Sequence, residues 1–332
     1  MSCEHNPNKS AIAWVRYPSL LQQLATCLAT AIASLDDACA DLVMTGSMPL
    51  EVMTSQPGLF RSPIALQLAS RIQQPAMRLG RQILTHVHQQ LHPGCSRTIA
   101  RQLEAQLWLQ SPGWIYIQCS EQTLATWLQQ VLCYPPMRIP QPWAERLSCP
   151  PHSPSPLASQ SPNSEQLFRI QCAHARCCAL LRLAQQEKLL TLPIIQPSLE
   201  PILDPIRLPL IPWLDRQQHL RLQLPAERAL IYLLLKFPTS LIPQSQVRTA
   251  GADQGEQTML IPLPLPPTHL CRDAQIWTNH LLRFDRESHI FGEVSAQVPA
   301  LAQARLGLVS ATQAVLAFLL GTLLQTHAPI EL

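Results

Sequence analysis

Apolar residues recur at helical spacing through Leu21, Leu24, Leu28, Ala31 and Leu35, and Ser19 stands just before them as a good N-cap. The spacing predicts a helix ending near Leu35. Residues 45–60 lose this period and are rich in Gly, Pro and Ser, which reads as loop. Two more helices are predicted over residues 62–74 and 75–91, with Pro63 and Pro75 near their first turns. The period then changes to two. In LEAQLWLQSPGWIYIQCS (residues 103–120) the triplet Ser111-Pro112-Gly113 is a turn signal between two strand-like runs. Strand alternation puts Trp114 and Tyr116 on one face and Ile115 and Ile117 on the other. Ser120 can cap a following helix that turns Leu124, Trp127, Leu128 and Val131 inward. These elements predict a small α/β domain over residues 1–134.

Proline and serine dominate residues 135–164, the composition of a semi-stiff linker. From residue 165 the pattern is helical, interrupted by proline-rich insertions at 193–213 and 259–267. The expected fold is therefore α-rich: an α/β unit, a linker, and an all-α bundle over 165–332. The most apolar run, LGLVSATQAVLAFLLGTLL (residues 306–324), carries Ser310, Thr312, Gln313 and Thr322. That suits a buried bundle helix rather than a membrane span.

The bundle opens with FRIQCAHARCCALLR (residues 168–182). At 100° per residue, Leu167, Ile170, His174, Cys178 and Leu181 share one face, and Phe168, Cys172, Ala175, Ala179 and Leu183 share another. Two apolar faces predict a central helix with close contacts at Ala175 and Ala179. His174 on an apolar face reads first as a hydrogen-bonded core histidine. Arg169 and Arg176, seven apart, fall on a third face open to solvent or phosphate.

Charge adds a direction without deciding it. The net charge is +3, and only three of the 24 basic residues are lysines. Arginine is the better fork for phosphate and the better plane for stacking, although a genomic base bias would produce the same count. Residues 50–134 carry a net +3, against +1 over residues 165–332, which makes the first unit the better electrostatic candidate for a polyanion. His86, His88 and His92 read as a solvated helix face rather than a metal site. The 11 cysteines include no Cys-x-x-Cys pair and read as reduced, small hydrophobic residues of a cytoplasmic protein. The start, MSCEHNPNKS, lacks the apolar core of a signal peptide.

Several segments together resemble the arginyl-tRNA synthetases. Cys172-Ala173-His174-Ala175-Arg176 is similar to the Tyr-Ala-His-Ala-Arg of their helical anticodon-binding (DALR) domain. The resemblance continues in family order through ERALIYLLLKFP (227–238), LLRFDRESHIFGE (281–293), ARLGLVSATQAVLAFLLG (304–321) and HAPIEL (327–332). GLFRSPIALQLASRI (58–72) with SPGWIYI (111–117) resembles, over a shorter stretch, the N-terminal add-on domain of the same enzymes. The resemblance implies tRNA as partner, arginine tRNA in the first place. It implies RNA contacts at Ser111, Trp114 and Tyr116 in the first unit, where the charge count adds Arg61. In the second it implies contacts at Arg169, Arg176, Arg286 and the C-terminal Leu332. Trp114 and Tyr116 read equally well as core residues.

The departures from the family matter as much. A synthetase of this class carries a nucleotide-binding domain with His-x-Gly-His and Lys-Met-Ser-Lys-Ser-like signatures between these two parts, yet here only residues 135–164 lie between them. The family's tyrosine is Cys172, its Phe-Tyr-Asn is Phe284-Asp285-Arg286, and its last methionine is Leu332. The expectation is a non-catalytic tRNA-binding paralogue with no catalytic residues, no cofactor, no metal and no membrane. A protein-interaction module docking on a synthetase or another protein is the first alternative. Arginine–tRNA ligation with a catalytic domain supplied in trans is the second.

Overall fold

The computed structural model describes residues 15–35, 48–91, 103–136, 164–196, 205–241, 259–260 and 267–331. Most of the stretch expected to be a linker lies outside these residues, as do His92 and Leu332. In chain order the elements are β1 (Val15–Arg16), α1 (Leu20–Ala33), β2 (Glu51–Val52), β3 (Leu59–Ser62), α2 (Ile64–Ile72) and α3 (Ala76–Leu91). Next come β4 (Ala105–Gln110), β5 (Trp114–Cys119), α4 (Glu121–Cys133), α5 (Ser164–Gln186) and α6 (Pro225–Leu241). The last are β6 (Met259–Leu260), α7 (Pro267–Glu287), α8 (Glu293–Gln297) and α9 (Pro299–Phe318), which runs into one π turn, Leu319–Leu323. The chain is helix-rich with a small four-stranded antiparallel sheet, and β1 and β6 form a separate antiparallel pair.

The sheet order is β2-β3-β5-β4. Both caps expected from the sequence are present: Ser19 Oγ accepts the Gln22 N–H at 3.2 Å, and Ser120 Oγ accepts the Thr123 N–H at 3.1 Å. Strand β2 falls inside the stretch that composition marks as loop, and β3 begins in it and runs on to Ser62, where the sequence predicts a helix. They are only two and four residues long, and β3 is a strand because it pairs with β5 from Leu59↔Gln118 to Ser62↔Ile115. Pairing over such a distance in sequence leaves no period of its own to read. Phe60, Ile115, Ile117 and Cys119 are buried on the inner face with α1, α2, α3 and α4. At the β4–β5 turn the backbone comes close to the helices. A side chain at Gly113 would put its Cβ 2.8 Å from Ala76 Cβ and 3.1 Å from a Leu66 methyl, so only glycine fits there.

The sheet side and the helical side share one continuous core. Tyr17, buried just before α1, donates its hydroxyl to Leu234 O in α6 at 3.0 Å. Its ring meets Phe237 edge-on at 5.4 Å, and Phe237 in turn meets Trp277 and Phe318, each at 6.1 Å. On the other side of α4, Gln129 Oε1 accepts both the Ile211 N–H (3.1 Å) and the Trp213 indole N–H (3.2 Å). Glu121 Oε2 accepts the Leu220 N–H at 2.8 Å. The proline-rich stretch beyond residue 204 thus serves as a packed strap between α4 and the bundle, rather than only as a surface insertion.

Helix α5 is central, as its sequence suggests, but its second buried face differs from the expected one. Ile170, His174, Cys178 and Leu181 are buried. The stripe predicted beside them is partly open: Phe168 is 55% and Leu183 37% exposed, and Ala179 is half-buried, leaving only Ala175 fully covered. The second buried stripe runs instead through Ala173, Cys177, Leu180 and Ala184, and α7 and α9 are the helices packed on α5. Small residues at 173 and 184 permit that close approach, so a larger side chain overpacks there more than at 179. Helix α9 and the turn after it form a 23-residue segment, Pro299–Gly321, long and apolar enough to cross a membrane; 94% of its apolar window is buried inside the fold.

Candidate nucleic-acid interface

The outer face of the sheet is built by strand alternation. The register places Glu51 opposite Arg61, Arg61 opposite Tyr116, and Tyr116 opposite Trp108, one row across four strands. Trp114 stands two residues before Tyr116 on the same face, opposite Gln110. The Trp108 and Tyr116 rings are stacked, with centroids 5.4 Å apart and planes within 8°. The Arg61 guanidinium lies 4.9 Å from the centre of the Trp114 ring and its Nε donates to Glu51 Oε2 at 2.8 Å. The aromatic row is therefore held rigid from both ends, by stacking and by a cation over a ring. Gln106 and Gln110 are exposed beside it, and Trp108 is 40% exposed.

Two features of this face could not be read from the sequence. Trp108 belongs to it and is more open than Trp114 or Tyr116. Its signal was weak alternation in AQLWLQ, and only the register with β5 makes it a neighbour of Tyr116. Gln118, next on the same face, donates its Nε2 to Pro57 O and Cys119 O, both at 3.1 Å. Its Oε1 has no partner among the described residues. Ser111 is exposed at the tip of the β4–β5 turn, where the Gly113 N–H closes on Gln110 O at 2.9 Å.

The residues singled out on the helical side are differently placed. Arg169 is exposed and pairs with Glu165 at 3.1 Å within its own helix. Arg176, expected to be free, makes a two-pronged contact with Asp285, Nε to Oδ2 at 2.9 Å and Nη2 to Oδ1 at 3.2 Å. The reason lies in the α5–α7 packing, which brings Asp285 of the FDR segment over the same face. Arg286 points to solvent, and Leu332 lies outside the described residues. The chain's final turn is tied down onto α5. Gln171 donates to His327 O at 2.9 Å, and Arg182 donates to Ile330 O at 2.9 Å and pairs with Glu331.

His174 is the central tie, and it is a core histidine with both nitrogens in use. Nδ1–H donates to Pro329 O at 2.8 Å, and Nε2 accepts from the Gln313 amide at 2.8 Å. Gln313 Oε1 in turn accepts the Ile195 N–H, and its Nε2 also donates to Ile195 O. This network assigns the neutral tautomer. Burial first, and then the charge of His327, pull the His174 pKa below the ordinary value, opposed by the bond to Pro329. The folded pKa is lower than the unfolded one, so the stability it contributes is full above about pH 6.5 and is lost as pH falls below that value. Chemical denaturation at pH 7.5 and pH 5 should show a lower midpoint in acid. His174→Gln should flatten that dependence, leaving the part due to His280, which burial shifts in the same direction. An equally steep variant would show that His174 is not a source of the acid sensitivity.

The seven cysteines among the described residues form no disulfide with one another, and no group of three His, Cys, Asp or Glu side chains there could hold a metal. Comparison with family models, with curated proteins and with solved structures matched nothing.

Proposed function

We propose that this protein binds tRNA through the outer face of its sheet and activates no amino acid, as a reduced relative of arginyl-tRNA synthetase in the cytoplasm. In this reading residues 1–134 correspond to the add-on unit, 135–164 to a linker and 165–332 to the anticodon-binding-type bundle. The observation that carries it is the aromatic row of Trp108, Tyr116 and Trp114 under Arg61, a stacking surface with a cation at its edge. Base stacking on such rings tolerates many sequences and is worth roughly 1–3 kcal/mol per base. The absence of His-x-Gly-His and Lys-Met-Ser-Lys-Ser signatures in the sequence supports a binding role without adenylate formation.

A second reading attaches to the helical side alone. There Arg176 and Arg182 are already engaged within the fold, while Phe168 and Leu282 are 55% and 45% exposed. That combination suits a protein partner, such as the synthetase itself, better than RNA.

The test is binding of unfractionated tRNA by the full chain and by Trp108→Ala and Trp114→Ala. Each removes one stacking ring, so each should bind about 5- to 150-fold more weakly at constant salt. Arginine-dependent ATP–pyrophosphate exchange should stay at background. Wild-type affinity in both variants would refute the sheet as the RNA site, and exchange above background would refute the non-catalytic reading. If the wild type shows no salt-dependent tRNA binding, the protein-docking reading replaces this one.

A further inference from the structure

Between Glu51 and Glu104 the chain contains no acidic residue. Helices α2 and α3 lie in that stretch, and their outer surface is correspondingly one-signed. Arg71 is exposed near the end of α2. Along α3, Arg78, Arg81, Thr85 and His88 recur at steps of three and four and therefore share one face. The stripe runs over eleven residues, ten steps of 1.5 Å or about 15 Å.

Among the described residues, none of Arg71, Arg78 and Arg81 reaches a carboxylate. Arg61, Arg169, Arg176, Arg182, Arg283 and Arg305 all do. Unpaired guanidinium groups on a rigid helix keep their forks available for an incoming anion.

The stripe lies on the helix layer, across the sheet from the aromatic row, and it begins at the edge where the two layers meet. The close contact of Gly113 with Ala76 and Leu66 seats the β4–β5 tip against the start of α3. A side chain at Gly80 would meet a Leu109 methyl at 2.5 Å, so α3 runs tightly against β4. A strand whose base stacks near Trp114 reaches Arg78 and Arg81 by turning round the edge at the β4–β5 tip, where α3 starts. The stripe holds no apolar anchor, which a helix lying in a membrane surface needs; what it offers is the donors and positive charge of its arginines, since the Thr85 hydroxyl is spent on Arg81 O.

We infer that α2 and α3 form a phosphate-binding face that holds the backbone of the RNA whose bases meet the sheet. This rests on the RNA-binding reading of the sheet. The contacts are sequence-independent, because they are made to phosphate oxygens and not to base edges. Base selection then rests with the sheet face alone.

The experiment is a salt series, from about 0.1 to 1 M, of unfractionated tRNA binding by the full chain, by Arg71→Gln/Arg78→Gln/Arg81→Gln, and by Trp108→Ala. Removing one arginine–phosphate pair flattens the log–log salt slope by about 0.7–0.9. The triple variant should show a slope shallower by about two units. It should bind about 50- to 170-fold more weakly near 0.15 M salt and converge on wild type near 1 M. Trp108→Ala should weaken binding by a similar factor at every salt concentration, with its slope unchanged. All three arginines are exposed, and an unchanged unfolding midpoint in the triple variant keeps the comparison clean. A wild-type slope in the triple variant, with Trp108→Ala still impaired, overturns the helix face and leaves the sheet reading standing. Absence of salt-dependent binding by the wild type overturns both. Tighter binding to phosphatidylserine vesicles than to tRNA, abolished in the triple variant, overturns the RNA assignment in favour of a membrane.

Discussion

Glu227→Ala should destabilise the protein by about 3–5 kcal/mol, read as a large drop in the denaturant midpoint. Glu227 is fully buried and Arg305 nearly so, and Arg305 Nε meets Glu227 Oε1 at 2.6 Å. The other carboxylate oxygen reaches back to the Leu224 N–H at 2.9 Å, at the start of α6, in the manner of a capping box. Arg305 also donates to His289 O. One carboxylate thus neutralises a buried cation and satisfies a helix start. Removing it leaves the guanidinium with a single carbonyl in the core. Glu227→Gln keeps the acceptor at Leu224 and should cost less than Glu227→Ala. Glu227→Leu combined with Arg305→Met removes both charges and should recover most of the stability, because the large term is the stranded charge and not the pair itself. A double variant as unstable as Glu227→Ala would show that the ion pair is needed for its attraction. The pair also joins three separate stretches of the helical side, at 227, 289 and 305.

Trp213→Ala should cost a further distinct 3–5 kcal/mol or so, about the usual range for truncating a buried aromatic, and should act on the seam rather than on either side. The indole is 3% exposed, and Gly307 in α9 has no side chain because a Cβ there would lie 2.5 Å from the Trp213 ring. Its N–H shares Gln129 Oε1 with the Ile211 N–H. Wild type, with one continuous core, should unfold in a single transition, whether followed by helix signal or by tryptophan fluorescence. In Trp213→Ala the two signals should separate, as the sheet side and the bundle cease to support each other. Trp213→Phe fills most of the space and leaves Gln129 Oε1 one donor, so it should keep the transitions together. Coincident transitions in Trp213→Ala would place the main coupling in the Tyr17–Phe237–Trp277 cluster instead.

The seam bears on the proposed function. If RNA is held at the sheet, its reach toward the bundle is set by a packed contact and not by the proline-rich stretch between the two sides. The strap beyond residue 204, with Trp213 buried beneath it, accomplishes this.

Local chemistry was legible in the residues themselves. Ser19 and Ser120 as caps, the strand alternation of Trp114 to Ile117, the position of α5 in the core and the hydrogen-bonded burial of His174 all follow from short-range geometry or from the expense of burying an unpaired polar group. These are properties of a few consecutive residues and of periods of 2 and 3.6. What depended on distant partners was not legible. Strand β3 exists through pairing with β5, and β2 through pairing with β3. Trp108 joins the aromatic row only through the β4–β5 register. Arg176 gives up its freedom to Asp285, 109 residues away. The second buried face of α5 lies at Ala173 and Cys177 rather than at Phe168 and Ala179, an outcome of its packing with α7 and α9. The strap became structure because Trp213 found Gly307. In each case the deciding energy comes from a contact between residues far apart in the chain, and no local pattern encodes which distant surface will arrive.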